Sequence, residues 1–303
     1  MPQRGIRSTY SQCPLQLLTL DQDGRTLSSA SAFFFDADGD WFLITNWHVV
    51  SGRHFMTREP LINPFVEAIS LTAKLASYDI GDRQNGTFGI APHHIPLYRG
   101  EQPVWFEHPE LGASCDVVAI PMNRPDTCPE FMHNAANRIS EINIPVEPGC
   151  TVFVIGFPHA ISSGFGLPLW KSGYVASEPH YDVDLGGKLW GYGGLAGGTR
   201  IPAFFVDAQT RSGMSGAPIF ARFQGSWDTR DPYRSIDPNE PGFWKRDDVA
   251  LFGSEGTMLI GCYSGRVGNT ESEATLGLCW RVDVIETICR ERKTGGNPHF
   301  ISA

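Results

Sequence analysis

Glycine and proline divide this chain into short pieces. With 33 glycines and 22 prolines in 303 residues, few stretches can sustain a long helix, because glycine costs about 1 kcal/mol and proline about 3 kcal/mol in a helix interior. The apolar runs between these breaks have the length of strands, about four to eight residues. At the start, runs at 15–20, 25–35 and 41–46 alternate with turns at Asp21–Gly24 and Asp36–Asp40, the pattern of an antiparallel meander. Asp36, Asp38 and Asp40 resemble a calcium loop only in part: the glycine stands before the third carboxylate, at Gly39, and no glutamate closes the loop. A hairpin turn is the reading.

Residues 51–114 read as a long irregular stretch with a Pro- and His-rich run. Its His93, His94 and His108 are expected to be exposed loop side chains, since no helical pair or nearby carboxylate set supports a metal site. Residues 117–120 form a short buried strand, and 150–156 another, before Phe157-Pro158. A second strand-rich half starts near Trp170, which places a boundary at 158–170 and divides the chain into 1–160 and 161–303. Two insertions, the Gly-rich 182–199 and the polar 222–248, read as surface loops or extended hairpins. The chain ends in an expected helix at 283–293, with Asp283 as cap, Glu286 completing a capping box, and Arg290, Arg292 and Lys293 at its negative end.

A net charge of −9 opposes sequence-independent binding to nucleic acid or to an anionic membrane. Residues 1–30 lack the apolar core of a secretion signal, and no run is long enough to span a bilayer, so a cytoplasmic location is expected. Seven cysteines, an odd number without any C-x-x-C pair, argue against both a disulfide framework and a thiolate zinc site. Neither metal nor other cofactor is expected.

Three strings carry chemistry. Ser215 lies in Gly213-Met214-Ser215-Gly216-Ala217-Pro218, a small-residue turn that can expose a nucleophile, with Gly213 free to adopt the conformation that aims the N–H groups of Gly213 and Ser215 at an oxyanion. A serine needs a base, and the base needs a carboxylate to fix its tautomer. His48 follows an apolar strand in Leu43-Ile44-Thr45-Asn46-Trp47-His48-Val49-Val50, and Asp116 precedes the buried strand at 117–120. An α/β-hydrolase elbow is rejected, since it requires the order Ser, Asp, His, and eight of the nine histidines precede Ser215.

Together the strings resemble the trypsin-like serine peptidases, in the order His, Asp, Ser, most of all the HtrA-like branch without disulfides. The family phrase L-T-N-x-H-V-V is similar to residues 43–50. D-[IV]-A-[VL] is similar to 116–120 with one residue added, and T-D-A-x-x-x-x-G-N-S-G-G-P to 206–218, with Met214 in place of Asn and Ala217 in place of Gly. The resemblance implies an all-β fold of two six-stranded antiparallel β-barrels with a short C-terminal helix. It also implies a serine endopeptidase in which Ser215 attacks, His48 relays the proton and Asp116 orients His48. A substrate pocket is implied between Gln209, Thr210, Arg211 and Ser212 on one wall and Tyr263, Ser264, Gly265 and Arg266 on the other. With Gln209 where basic-selective relatives carry a carboxylate, a preference for Lys or Arg is not expected, and Arg266 and Arg211 are expected to face solvent. The partner is a protein or peptide substrate. The Gly-rich insertion is a candidate regulatory element, able to order the oxyanion site on binding substrate or a regulatory protein partner. The competing reading is a catalytically silent or latent protein-binding module on the same fold.

Overall fold

In a computed structural model of the protein, residues 8–61, 68–78, 88–122, 133–139, 142–184, 200–237, 239–267 and 276–299 are described. Strands β1 (Pro14–Leu20), β2 (Thr26–Ala37), β3 (Asp40–Thr45), β4 (Ser70–Tyr78), β5 (Phe88–Pro96), β6 (Tyr98–Arg99), β7 (Gln102–Pro103), β8 (Phe106–Glu107) and β9 (Val118–Met122) make the first half. They are followed by β10 (Thr151–Gly156), β11 (Leu169–Val175), β12 (Val183–Asp184), β13 (Arg200–Ile201), β14 (Ala203–Ala208), β15 (Pro218–Asp228), β16 (Val249–Arg266), β17 (Leu276–Arg281) and β18 (Lys293–Thr294). The α-helices among the described residues are α1 (Trp47–Ser51) and α2 (Val282–Glu291).

The expected meander forms β1–β2–β3. Its second turn is a two-residue hairpin at Asp38-Gly39, both with positive φ (55° and 93°), closing the Ala37–Asp40 pair. That is the backbone a type I′ turn requires, and Asp-Gly is the dipeptide that tolerates it. Ala30 to Phe35 are all buried, a continuous run in place of alternation, because β2 is covered on both faces.

The second half is a closed barrel in the order β10-β11-β14-β17-β16-β15, six antiparallel strands as expected. Its core gathers Val152, Val154, Phe204, Val206, Ile219, Ile260 and Tyr263. The first half, where six strands were expected, is an eight-stranded antiparallel sheet, β18-β8-β9-β3-β2-β1-β4-β5, because β8 and the returning β18 extend its edge, around Leu15, Leu17, Phe33, Leu43, Ile44, Val118 and Ile120.

Four further sequence expectations are corrected. The stretch 51–114 is not irregular: β4 and β5 pair along their length, and His93 and His94 are exposed strand residues opposite Ala73 and Thr72, while His108 is half-buried. By its pairing with β11 and β15, β10 belongs to the closed barrel, so the division between sheets falls before Thr151 rather than at residue 160. The tail also returns to the first half, where β18 pairs with β8. In α2 the N-cap is Arg281 with no side-chain cap. Asp283 lies inside the first turn, accepting the Val284 N–H at 2.9 Å, and the helix ends at Arg292 in the left-handed conformation. Tertiary packing decides that boundary: Val284, Ile285, Ile288 and Cys289 are buried in the first core, worth roughly 1.5–3 kcal/mol for each large apolar side chain.

The polar insertion is an extension of the β15–β16 hairpin, which continues to the Asp228–Val249 pair. Arg246 bridges Asp228 and Asp248 across its base. Of the Gly-rich insertion, 185–199 lies outside the described residues; the flanking β12 and β13 pair antiparallel.

Candidate active site

His48 sits in the first turn of α1, the short helix that follows β3. Two features fix this helix. Gly52, with φ 66°, ends it by donating its N–H to the His48 carbonyl at 3.0 Å. Trp47 is buried and donates its indole N–H to Glu107 Oε1 at 3.0 Å, an oxygen that also accepts from Trp105 at 3.0 Å. A buried carboxylate with two N–H donors meets the cost of its desolvation and pins the residue next to His48.

Asp116 is fully buried just before β9. Its Oδ1 accepts the backbone N–H of His48 at 2.9 Å, and its Oδ2 lies 2.7 Å from His48 Nδ1. An ionised carboxylate only accepts, so this contact places the proton on Nδ1 and leaves Nε2 with its lone pair. Oδ2 also accepts the Ser264 hydroxyl, and Asn46 Nδ2 holds the Asp116 carbonyl at 2.6 Å. Ser264 and Asn46 are therefore structural partners of the pair that the sequence did not single out in this role.

Ser215 opens into the same cleft as His48 and Asp116, a space of about 230 Å³ bounded also by His54, Phe55, Leu61, Ser264, Gly265, Arg266 and Leu278. Its hydroxyl donates to the Ser264 carbonyl at 3.0 Å. Among the described residues no hydrogen bond joins it to His48. His54, not anticipated, accepts the N–H groups of Met56 and Thr57 on Nδ1, each at 3.3 Å. Burial lowers its pKa, which keeps it neutral beside His48.

The loop before Ser215 has the geometry of an anion site. Gly213 has φ 92°, and a Cβ there would lie 2.5 Å from the Phe157 carbonyl oxygen; only glycine fits. The Ser212 carbonyl accepts the His159 N–H at 2.6 Å, and the Met214 carbonyl accepts the Ala217 N–H at 2.9 Å. In a trans peptide the N–H points opposite its carbonyl, so these two bonds turn the Gly213 and Ser215 N–H groups the other way. Among the described residues neither N–H has an intrachain acceptor.

Of the expected pocket walls, Ser264, Gly265 and Arg266 line the cleft. Arg266 is half-buried there rather than solvent-facing. Gln209, Arg211 and Ser212 are exposed and do not line it. Thr210 and Tyr263 are buried behind it, joined hydroxyl to hydroxyl. The departures at Met214 and Ala217 point into the barrel core, both fully buried.

The closed barrel, the curled sheet beside it and the cleft carrying His48, Asp116 and Ser215 define a protein of the chymotrypsin-fold class. The chain belongs to the trypsin-like peptidase domain family, whose model matches residues 30–227. Among solved structures it is similar to the Rv3671c protease of M. tuberculosis in its active form, at 14% identity and a TM-score of 0.45, covering 95% of this chain and 83% of that one. It is also similar to the thermostable serine protease AL20 from an extremophilic microorganism, at 11% identity and a TM-score of 0.46, covering 94% and 98%. No curated protein sequence matches the chain.

Proposed function

We propose that the protein is a serine endopeptidase that cuts protein substrates through an acyl-enzyme. The observation that carries this reading is the pairing of His48 Nδ1 with the buried Asp116 carboxylate at 2.7 Å in the cleft that holds Ser215. In this mechanism Ser215 Oγ bonds to the scissile carbonyl carbon while its proton passes to His48 Nε2, and the carbonyl oxygen takes the negative charge. The Gly213 and Ser215 N–H groups receive that charge, each such donor being worth about 10²–10³ in rate. Collapse breaks the C–N bond as His48 returns the proton to the leaving amine. Water, deprotonated by His48, then hydrolyses the Ser215 ester. Asp116 stabilises the imidazolium that forms. The substrate adds as an extended strand along Ser264–Arg266, and no cofactor takes part. The six described cysteines are free, buried thiols, which supports a reducing, cytoplasmic setting.

A second reading, a latent or silent binding module, is favoured by one observation: the Ser215 hydroxyl rests on the Ser264 carbonyl instead of His48. Both readings meet in one model. A substrate N–H that takes the Ser264 carbonyl displaces the Ser215 hydroxyl, which becomes available to His48. The test is labelling with a fluorophosphonate read by intact mass, comparing wild type, Ser215→Ala and His48→Ala. Labelling of wild type, lost in both variants, is expected; a folded wild type that never labels sinks the peptidase reading.

A further inference from the structure

We infer that Ser31, on β2 of the first sheet, is the positioning residue that holds the oxyanion loop of the second barrel in its anion-binding form. The inference rests on the peptidase reading and names a residue that the sequence motifs leave silent.

Ser31 is fully buried. Its hydroxyl donates to the Gly213 carbonyl at 2.8 Å and accepts the Phe157 N–H at 3.1 Å. Its own N–H donates to the Ser215 carbonyl at 2.8 Å, and its carbonyl accepts the Thr45 hydroxyl at 3.0 Å. Every hydrogen-bonding group of this one residue is thus committed, three of its four bonds crossing to the second half of the chain.

The consequence lies in the peptide planes. The conformation of Gly213 is set by the plane before it and the plane after it. The plane before is held through the Ser212 carbonyl by His159 N–H, and the plane after through the Gly213 carbonyl by Ser31 Oγ. Phe157 and His159 belong to one turn, so the bond from Phe157 N–H to Ser31 Oγ ties both holds together. That turn is itself under strain: His159 and Ala160 both carry positive φ (52° and 58°), although neither is glycine. Left-handed residues of this kind persist only where their surroundings over-determine them. Gln16, buried in β1, supplies a further hold by donating to the Ala160 carbonyl at 2.8 Å.

The space around Ser31 is matched to it. A Cβ on Gly156 would lie 2.6 Å from Ser31 Oγ, and one on Gly216 would lie 2.1 Å from Ser31 O. Without the hydroxyl, the Gly213–Met214 peptide loses its only hydrogen bond on the carbonyl side among the described residues. The same loss leaves the Phe157 N–H without its acceptor, which frees the turn whose His159 N–H holds the Ser212 carbonyl, and rotation of the Ser212–Gly213 peptide then moves the Gly213 N–H away from the developing charge. Ser31 touches neither substrate nor reacting atoms, and its effect falls on the transition state.

The test compares wild type with Ser31→Ala and Ser31→Cys, the second placing a slightly larger atom and a weaker donor at the hydroxyl's position. Three readouts are taken: the rate of fluorophosphonate labelling of Ser215, KM and kcat on a cleaved peptide, and the thermal midpoint. Labelling rate and kcat are expected to fall about 10- to 100-fold in Ser31→Ala, up to the lower bound for a fully lost oxyanion donor, and less in Ser31→Cys. KM and the pH dependence set by His48 are expected to stay at their wild-type values. Equal labelling rates in folded wild type and Ser31→Ala overturn the inference alone. A folded wild type that never labels overturns the peptidase reading and the inference with it. Failure of both variants to fold also overturns it, by reducing Ser31 to a folding residue.

Discussion

The buried pair Thr210–Tyr263 allows a prediction whose sign depends on whether one partner or both are removed. Thr210 precedes the loop that carries Ser215, Tyr263 lies on β16, and their hydroxyls bond to each other with both residues almost fully buried. Burial also pushes the Tyr263 phenol up, so it stays neutral at any workable pH. Tyr263→Phe leaves the Thr210 hydroxyl buried without its partner, and Thr210→Val does the same to the phenol. Each is expected to cost about 1–3 kcal/mol, the desolvation penalty of an orphaned polar group. The double variant removes both hydroxyls at nearly constant shape and is expected to cost under about 1 kcal/mol, giving a coupling of about 3 kcal/mol when each single variant costs about 2 kcal/mol. Equilibrium urea unfolding is the assay: with a slope of about 3 kcal/mol/M, a single-variant loss of 2 kcal/mol moves the midpoint by about 0.7 M. Additive costs in the double variant would refute the reasoning, since they would mean that the hydroxyls do not depend on each other.

Other outcomes are expected. Gly216→Ala forces a Cβ to 2.1 Å from Ser31 O and 2.5 Å from Thr45 Oγ1 at φ 82°; loss of soluble folded protein or of all Ser215 labelling follows, and normal labelling would contradict the packing described. In the extended hairpin, the backbone N–H of Asp231, then those of Arg230 and the Arg246 guanidinium, hold the Asp228 carboxyl below its usual range, and Arg246 does the same to Asp248. Carboxyls depressed in the fold stabilise it above their unfolded value of about 4 and stop doing so as pH falls through the folded values. Protection against hydrogen exchange at 228–248, relative to the intrinsic rate at each pH, is therefore expected to fall below about pH 4 and to be low already at pH 6 in Asp228→Asn; equal protection at pH 3 and 6 would count against this network. Finally, a peptide N-methylated at the residue before the cut cannot claim the Ser264 carbonyl, and its kcat/KM is expected to drop about tenfold, the upper range for one neutral hydrogen bond. Turnover at the unmethylated rate would argue against displacement of the Ser215 hydroxyl by substrate.

The parts of the fold readable in advance were those with local signals. The β1–β3 meander is written in its turns, and Ser215, His48 and Asp116 in the short strings around them. The β4–β5 ribbon was hidden because its residues are polar, prolyl and histidyl on an exposed face, as at Pro92, His93 and His94. For α2, the cap pattern at Asp283 and Glu286 suggested a start that packing of Val284 and Ile285 overrode. Ser31 was invisible for a different reason: its partner Gly213 is 182 residues away, and a serine in an apolar strand carries no local mark of a distant carbonyl. The same holds for Ser264, whose bond to Asp116 spans 148 residues.

The return of the tail has a consequence for how the molecule is made. Lys293 and Thr294 complete the edge of the sheet that holds His48 and Asp116, and α2 seals its core. During synthesis, therefore, the first half emerges with its edge at β8 bare and its core lacking Val284, Ile285 and Ile288, and it waits for residues almost 200 positions later in the chain. Contacts of that sequence separation form slowly. His48 and Asp116 thus sit beside a sheet whose edge is completed only after the barrel that carries Ser215 has been made, so a growing chain holds all three residues before that edge is closed.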